Sequence, residues 1–373
     1  MKKALAAASL LLALVLCLTA AVAAGGDAAD PLLSLSYLEG IFTQSVDNGV
    51  NTKLESADTA LRGELNGKLD AMEAAAQAAA GQNYAPLFTE ADLKEGDILT
   101  GPTGLTVIPL AGNVRMDVQY GAVVDATDGR EVASGATLTA NHRYIVAEES
   151  LAAFTAASPA AVLSYQGSYA FSLSQRSQDY FAVARALREL NLFKGTGTGI
   201  GEGFDLHLAP TRAEGLVMFI RILGEEDAAL ACTYTHPFTD VPAWADRYVA
   251  WAYTQGYTNG IGNNKFGTTL KLSAVEYQEF LLRALGYSVA GVHDYLTSLE
   301  RAQEQGALTA GEYRMLKNDA FLRAHVTYMS YYALDVVISG SQMTLAQRLE
   351  TTGLFASPQL QYARSLITTP RMS

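Results

Sequence analysis

The residues of this chain that most resemble a phosphate-cradling loop are five glycines at alternate positions in "KGTGTGIGEGFDLHLAPTRAEG", Lys194 to Gly215. Such loops hold phosphates when a buried strand feeds them and a helix leaves them at once. Here "DYFAVARALRELNLF" comes first, with Phe181, Ala184, Leu187, Leu190 and Leu192 near helical spacing. No Gly-Lys-Ser/Thr follows, and Phe204 carries the loop onward. The stretch therefore reads as a flexible turn between helices. His-Glu-x-x-His, Gly-x-Ser-x-Gly and Cys/His constellations do not occur. His142 and Arg143 open a strand in "NHRYIV" with no second type of metal ligand spaced around them, so His142 reads as a hydrogen-bonded or surface residue. Glu148 and Glu149 are neighbours and point apart on a strand. Cys232 is the one cysteine left once a leader is removed, and reads as buried. No catalytic residue, metal or cofactor is expected.

The elements around the glycine loop repeat. Leu192 and Gly195 match Tyr257 and Gly260 at an offset of 65, whereas Phe204, Thr211, Glu214, Met218, Arg221 and Gly224 match Phe266, Ser273, Glu276, Phe280, Arg283 and Gly286 at an offset of 62. The first copy therefore carries three extra loop residues, an insertion a surface loop tolerates. Thr211-x-x-Glu214 and Ser273-x-x-Glu276 are capping boxes, in which the hydroxyl accepts from the third helical amide and the glutamate reaches back to the cap amide. Gly224 and Gly286 end the capped helices. Arg212, between cap and first turn, is expected outside the core of Leu216, Phe219, Ile220 and Leu223. It sits beside free helix amides, where a carboxylate or phosphate is favoured. A third copy follows, with Arg323 in the Arg212 place, although "LTAGEY" at Leu308–Tyr313 mimics "LSAVEY" at Leu272–Tyr277.

Lys2 and Lys3, an apolar run from Ala4 to Leu18 and the small residues Ala21-Val22-Ala23 have the order of a secretory signal peptide, residues 1–24. Leu16 before Cys17 disfavours a lipoprotein, and no later run is apolar enough to span a membrane. A formal net charge of −12 argues against nucleic acid and anionic membranes as general partners, so any anionic ligand needs a local site. Residues 30–82 carry Leu54, Leu61, Leu65, Leu69 and Met72 at intervals of seven, four, four and three, the pattern of an amphipathic helix or short coiled coil. Residues 84–171 alternate β-prone runs with turns such as Asp128-Gly129 and read as a small antiparallel β domain. Repeat copies occupy 179–225, 236–287 and 292–335, with 336–373 as a C-terminal tail.

At Phe238–Tyr287, "FTDVPAWADRYVAWAYTQGYTNGIGNNKFGTTLKLSAVEYQEFLLRALGY" resembles a surface-layer homology (SLH) repeat, and "APTRAEG" carries that family's Thr-Arg-Ala-Glu signature. The resemblance implies three helical repeats in a pseudo-threefold bundle that binds secondary cell-wall polysaccharide, often pyruvylated, in grooves between repeats. Carried over by position, Arg212 would contact the acidic sugar group. Asp240 and Trp244 would line a groove against a sugar ring, Gly260 would let the ligand approach the backbone, and Arg323 would serve the third copy. Ala274 stands where the second copy should have its arginine, and His325 where the third should have its glutamate. One competent groove is therefore expected. Read from the residues alone, Arg212 would be an exposed cation paired with an acid, Asp240 would cap the helix starting at Pro242-Ala243, and Trp244 and Trp251, seven apart, would share a helix face.

Three functions follow as expectations. The first is a noncatalytic exported protein, at the cell wall or cell surface, held there by its repeats and displaying the β domain. The second is an enzyme, such as a glycan hydrolase, anchored the same way. The third is a structural subunit that self-assembles through the helix of residues 30–82, giving a homo-oligomer.

Overall fold

The computed structural model describes residues 38–80, 83–118, 120–148, 150–289 and 292–373, and the expected signal peptide lies outside them. A π-helical turn, Leu38–Phe42, leads into α1, Thr43–Ala80. Its residues up to Ala71 belong to a separate compact unit. Its Leu54, Leu61, Leu65 and Leu69 lie exposed.

The β region contains β1 (Asn83–Lys94), β2 (Ile98–Pro102), β3 (Thr106–Ala111), β4 (Val114–Val118), β5 (Ala122–Asp125), β6 (Arg130–Val132), β7 (Tyr144–Ala147), β8 (Leu151–Ala156) and β9 (Ala160–Ser172). All pairings are antiparallel, in the order β4-β8-β2-β9-β3-β7-β5-β6, with β1 also on β9. The long β9 serves β1 and β3 with its first part and β2 with residues 170–172, so the sheet curls around it. Alternation along β8 buries Ala152, Phe154 and Ala156 against Leu99, Met116, Tyr144 and Leu163. The Asp128-Gly129 turn joins β5 to β6, with Gly129 at φ 68°.

The helical region holds α2 (Tyr180–Glu189), α3 (Arg212–Ile222), α4 (Glu226–Leu230), α5 (Asp246–Thr254), α6 (Ala274–Ala284), α7 (Ser298–Glu304), α8 (Ala310–Asn318), α9 (Arg323–Ala333), α10 (Leu345–Thr351) and α11 (Ser357–Ser365). Helices α3, α6 and α9, the second helices of the three expected copies, pack against one another pairwise. Around them, α5 lies on α3, α7 on α6 and α2 on α9, so the first helix of the first copy closes onto the third copy. Backbone pairs link the same copies: Arg212 N donates to Leu270 O, Arg323 N to Leu208 O and Ala324 N to Leu206 O. One core runs through these helices, including Leu187, Phe219, Tyr277, Phe280 and Tyr328.

That core extends to Ala111, Ala160 and Val162 of the sheet, and the glycine loop helps to form the joint. Gly201 N donates to Glu90 Oε2 at 2.9 Å, and a Cβ on Gly201 would lie 2.9 Å from Asp92 Oδ1. Arg185 on α2 bonds Asp92 on β1 at 2.6 Å and also pairs with Glu202 of the loop. The spaced glycines thus let the loop dock against the β region rather than stay a free turn.

Candidate functional site

Both capping boxes form. Glu214 N donates to Thr211 Oγ1 at 3.3 Å and Thr211 N returns a bond to Glu214 Oε2 at 2.7 Å; Ser273 and Glu276 repeat the exchange at 3.3 and 2.8 Å. Gly224 and Gly286 follow α3 and α6 at φ 72° and 78°. In the third copy, both competing starts are helical. Thr309 and Glu312 make a full box on α8, whereas on α9 His325 Nδ1 only accepts from Leu322 N. Because Nδ1 accepts, Nε2 carries the proton, and it is buried without a partner. Burial pushes His325 down to about 4.

Arg212 corrects an expectation. It is 7% exposed rather than a surface cation, because the Thr211 cap turns its side chain across α6 instead of outward. Nη1 donates to Glu276 Oε1 at 2.6 Å, and the guanidinium lies 5.2 and 5.5 Å from the centroids of Phe266 and Phe280. Glu276 therefore serves two helix starts, capping α6 with Oε2 and holding the arginine of α3 with Oε1. Burial presses the Arg212 pKa down and the Glu276 carboxylate opposes it. The buried Nε has no hydrogen-bond partner.

Arg212 and Gly260 line one open groove of about 330 Å³, together with Glu276, Phe280, the strip Asn259–Ile261, Glu279, Arg283 and Tyr295. Glu279 accepts from Arg283 Nε at 2.8 Å, Arg301 Nη2 at 2.6 Å and Ser288 Oγ at 2.6 Å. In the lining Arg212 and Arg283 balance Glu276 and Glu279, and Arg301, outside the lining, adds a third guanidinium on Glu279, so both carboxylates are held by cations while Arg212 keeps an unpartnered Nε. Such a groove favours an anionic, hydrogen-bonding ligand that presents a flat face to Tyr295 or Phe280. Arg283 was legible in the sequence as the repeat partner of Arg221; Glu279, Tyr295 and Asn259 left no comparable signal.

Gly260 has φ 74°, and a Cβ there would lie 2.3 Å from Phe238 Cε1 and 2.5 Å from Lys265 O. Its missing side chain thus admits the chain's own atoms. Asp240 does not cap a helix at Pro242, since α5 starts at Asp246. Its carboxylate instead accepts from the N–H groups of Phe266 at 2.7 Å, Gly267 at 2.8 Å and Thr268 at 3.4 Å. Burial works to raise the Asp240 carboxyl, and those three bonds outweigh it and hold it below the usual carboxylate range. Asp240 thereby positions Phe266 beneath Arg212. Trp244 stands 55% exposed ahead of α5, outside the groove wall, while Trp251 on α5 is buried, so the two do not share a helix face. Arg323 is also buried, donating Nε to Phe204 O at 3.0 Å, 5.8 Å from the Phe193 centroid and apart from this groove. Burial lowers its pKa, opposed by Glu214 and Asp205.

In the β region the fold brings Asp125 and Asp128 to His142, although no spacing in the sequence marks them as a set. His142 Nδ1 lies 2.9 Å from Asp125 Oδ2 and 3.9 Å from Asp128 Oδ2. Asp125 Oδ1 also accepts from Thr127 N and Asp128 N, so the buried carboxylate ties the β5–β6 turn to the start of β7. Among the described residues no helix is long and apolar enough to cross a membrane.

Residues 237–273 match the family described as the S-layer homology domain, a span that includes Asp240, Trp244 and Gly260 and ends at Ser273. A cell surface protein of Thermoanaerobacter kivui is 38% identical over 109 residues, covering 28% of this chain and 14% of that relative. With the matched segment supplying α5, the Asp240-bound loop and the cap of α6, this chain is an S-layer homology domain-containing protein.

Proposed function

We propose that the helical repeats form a pseudo-threefold bundle that anchors the chain noncatalytically at the cell wall by binding an acidic wall polysaccharide in the Arg212 groove. The observation that carries this is the buried Arg212 Nε, a charged donor without an acceptor beside an open groove. Leaving such a donor unmade costs about 1–3 kcal/mol, which a carboxylate of the polymer, pyruvyl groups included, would offset after a small rotation of the guanidinium. The mutual packing of α3, α6 and α9 supports the threefold arrangement. The S-layer homology match and the similarity to a cell surface protein support a place at the cell surface. The noncatalytic reading rests on the groove's two carboxylates. Glu276 is paired with Arg212, and Glu279 with Arg283 and Arg301, which leaves neither as a free general acid or base.

The test is cosedimentation of the purified chain with isolated wall sacculi, before and after removal of the attached polysaccharide, followed by calorimetry with the released polymer. Binding should require the polymer. Arg212→Lys, which keeps the charge but loses the planar fork, should bind about ten-fold more weakly. Equal binding to stripped sacculi, or unchanged affinity in Arg212→Lys, would overturn the reading.

A further inference from the structure

Helix α1 has a surface that the described residues of its own unit leave uncovered. Val46, Val50, Leu54, Ala57, Leu61, Leu65 and Leu69 fall within an arc of about 140° on a helix of 3.6 residues per turn. The four leucines among them are each more than 60% exposed. The helix also contains Gly49, Gly63 and Gly67 with open space around each. Each helical glycine costs about 1 kcal/mol relative to alanine, and helices in water draw most of their stability from packing an apolar face. A 38-residue helix of this composition therefore needs a partner along that face.

Its charges indicate which partner. Lys53 and Glu64 border one side of the apolar arc, and Glu55 and Arg62 border the other. Within the helix Arg62 Nε holds Asp58 at 2.7 Å and Lys68 holds Glu64 at 3.2 Å, whereas Lys53 and Glu55 have no ion pair among the described residues. We propose that two copies of this chain pair antiparallel through α1, in a register centred between Asp58 and Thr59. That register sets Lys53 against the partner's Glu64 and Glu55 against the partner's Arg62, each pair formed twice by symmetry. It also seats Leu54 between the partner's Leu61 and Leu65, and Val50 between the partner's Leu65 and Leu69. The centre falls three residues before the helix midpoint, so the two copies overlap over residues 43–74 of the helix. Val50 and Leu61, like Leu54 and Leu65, are 11 residues apart, a repeat that lets helices run together with only slight right-handed coiling. This inference is independent of the wall-binding reading, since it uses no residue of the helical repeats.

Sedimentation equilibrium of the purified full chain should give a dimer. Leu54→Asp with Leu61→Asp should weaken it at least about 100-fold, because each burial is lost in both copies. Circular dichroism of the same variant reports whether the remaining fold is intact. With Cys17→Ser and Cys232→Ser as background, Lys53→Cys together with Glu64→Cys should give a covalent dimer on oxidation, and Val50→Cys alone should not. A monomer at every concentration, or a disulfide dimer from Val50→Cys alone, would overturn the proposal.

Discussion

Replacing Arg212 by alanine tests whether the groove's cation is as firmly built in as its burial implies. The change removes a 2.6 Å bond to Glu276, worth about 1.5–3 kcal/mol between charged groups. It removes the guanidinium from above Phe266 and Phe280, roughly another 0.5–1 kcal/mol per ring. It also leaves Glu276, whose side chain is 22% exposed, without its cation. Together these give a loss of about 3–5 kcal/mol, the range for breaking one side of a buried pair. The pairwise part can be isolated with Glu276→Gln, because glutamine still accepts from the Ser273 amide and preserves the capping box. Urea denaturation of the wild type, both single variants and the double variant should give a coupling energy of about 1.5–3 kcal/mol. A coupling below about 0.5 kcal/mol, typical of solvent-exposed pairs, would refute the argument that Arg212 is a built-in groove cation.

His325 should make stability depend on pH. Its folded-state pKa is depressed from 6.5 to about 4, so its contribution is complete above pH 6.5 and is lost progressively as pH falls toward 4. That depression corresponds to roughly 3 kcal/mol, and His325→Gln should remove that part of the acid sensitivity; urea midpoints at pH 7 and 4.5 that shift equally in both proteins would count against it. Gly260→Ala should cost at least about 1–3 kcal/mol and lower the thermal midpoint, since a left-handed backbone and a 2.3 Å approach to Phe238 both oppose a side chain there; an unchanged midpoint would show that the loop can relax.

Much of the local structure is legible in the sequence because it is set by neighbours in the chain. Thr211-x-x-Glu214 and Ser273-x-x-Glu276 place helix starts, Gly224 and Gly286 place helix ends, and the repeated offsets identify corresponding helices, all through interactions within a few residues. The Asp128-Gly129 turn and the alternation of β8 are local in the same sense. What only the tertiary structure decides is where long side chains end. Arg212 looks exposed along its own helix, yet packing α3 beside α6 brings Glu276, 64 residues away, within 2.6 Å of it. Asp240 looks like a helix cap and instead gathers the amides of residues 266–268, because the loop before α6 folds back over it. His142 meets Asp125 only through the pairing of β5 with β7. The glycine loop looks like a free connection until the sheet supplies Glu90 and Asp92 to hold it. Caps, turns and periodicity depend on contacts a few residues apart, whereas burial of a charge depends on surfaces that meet only when the whole chain has folded.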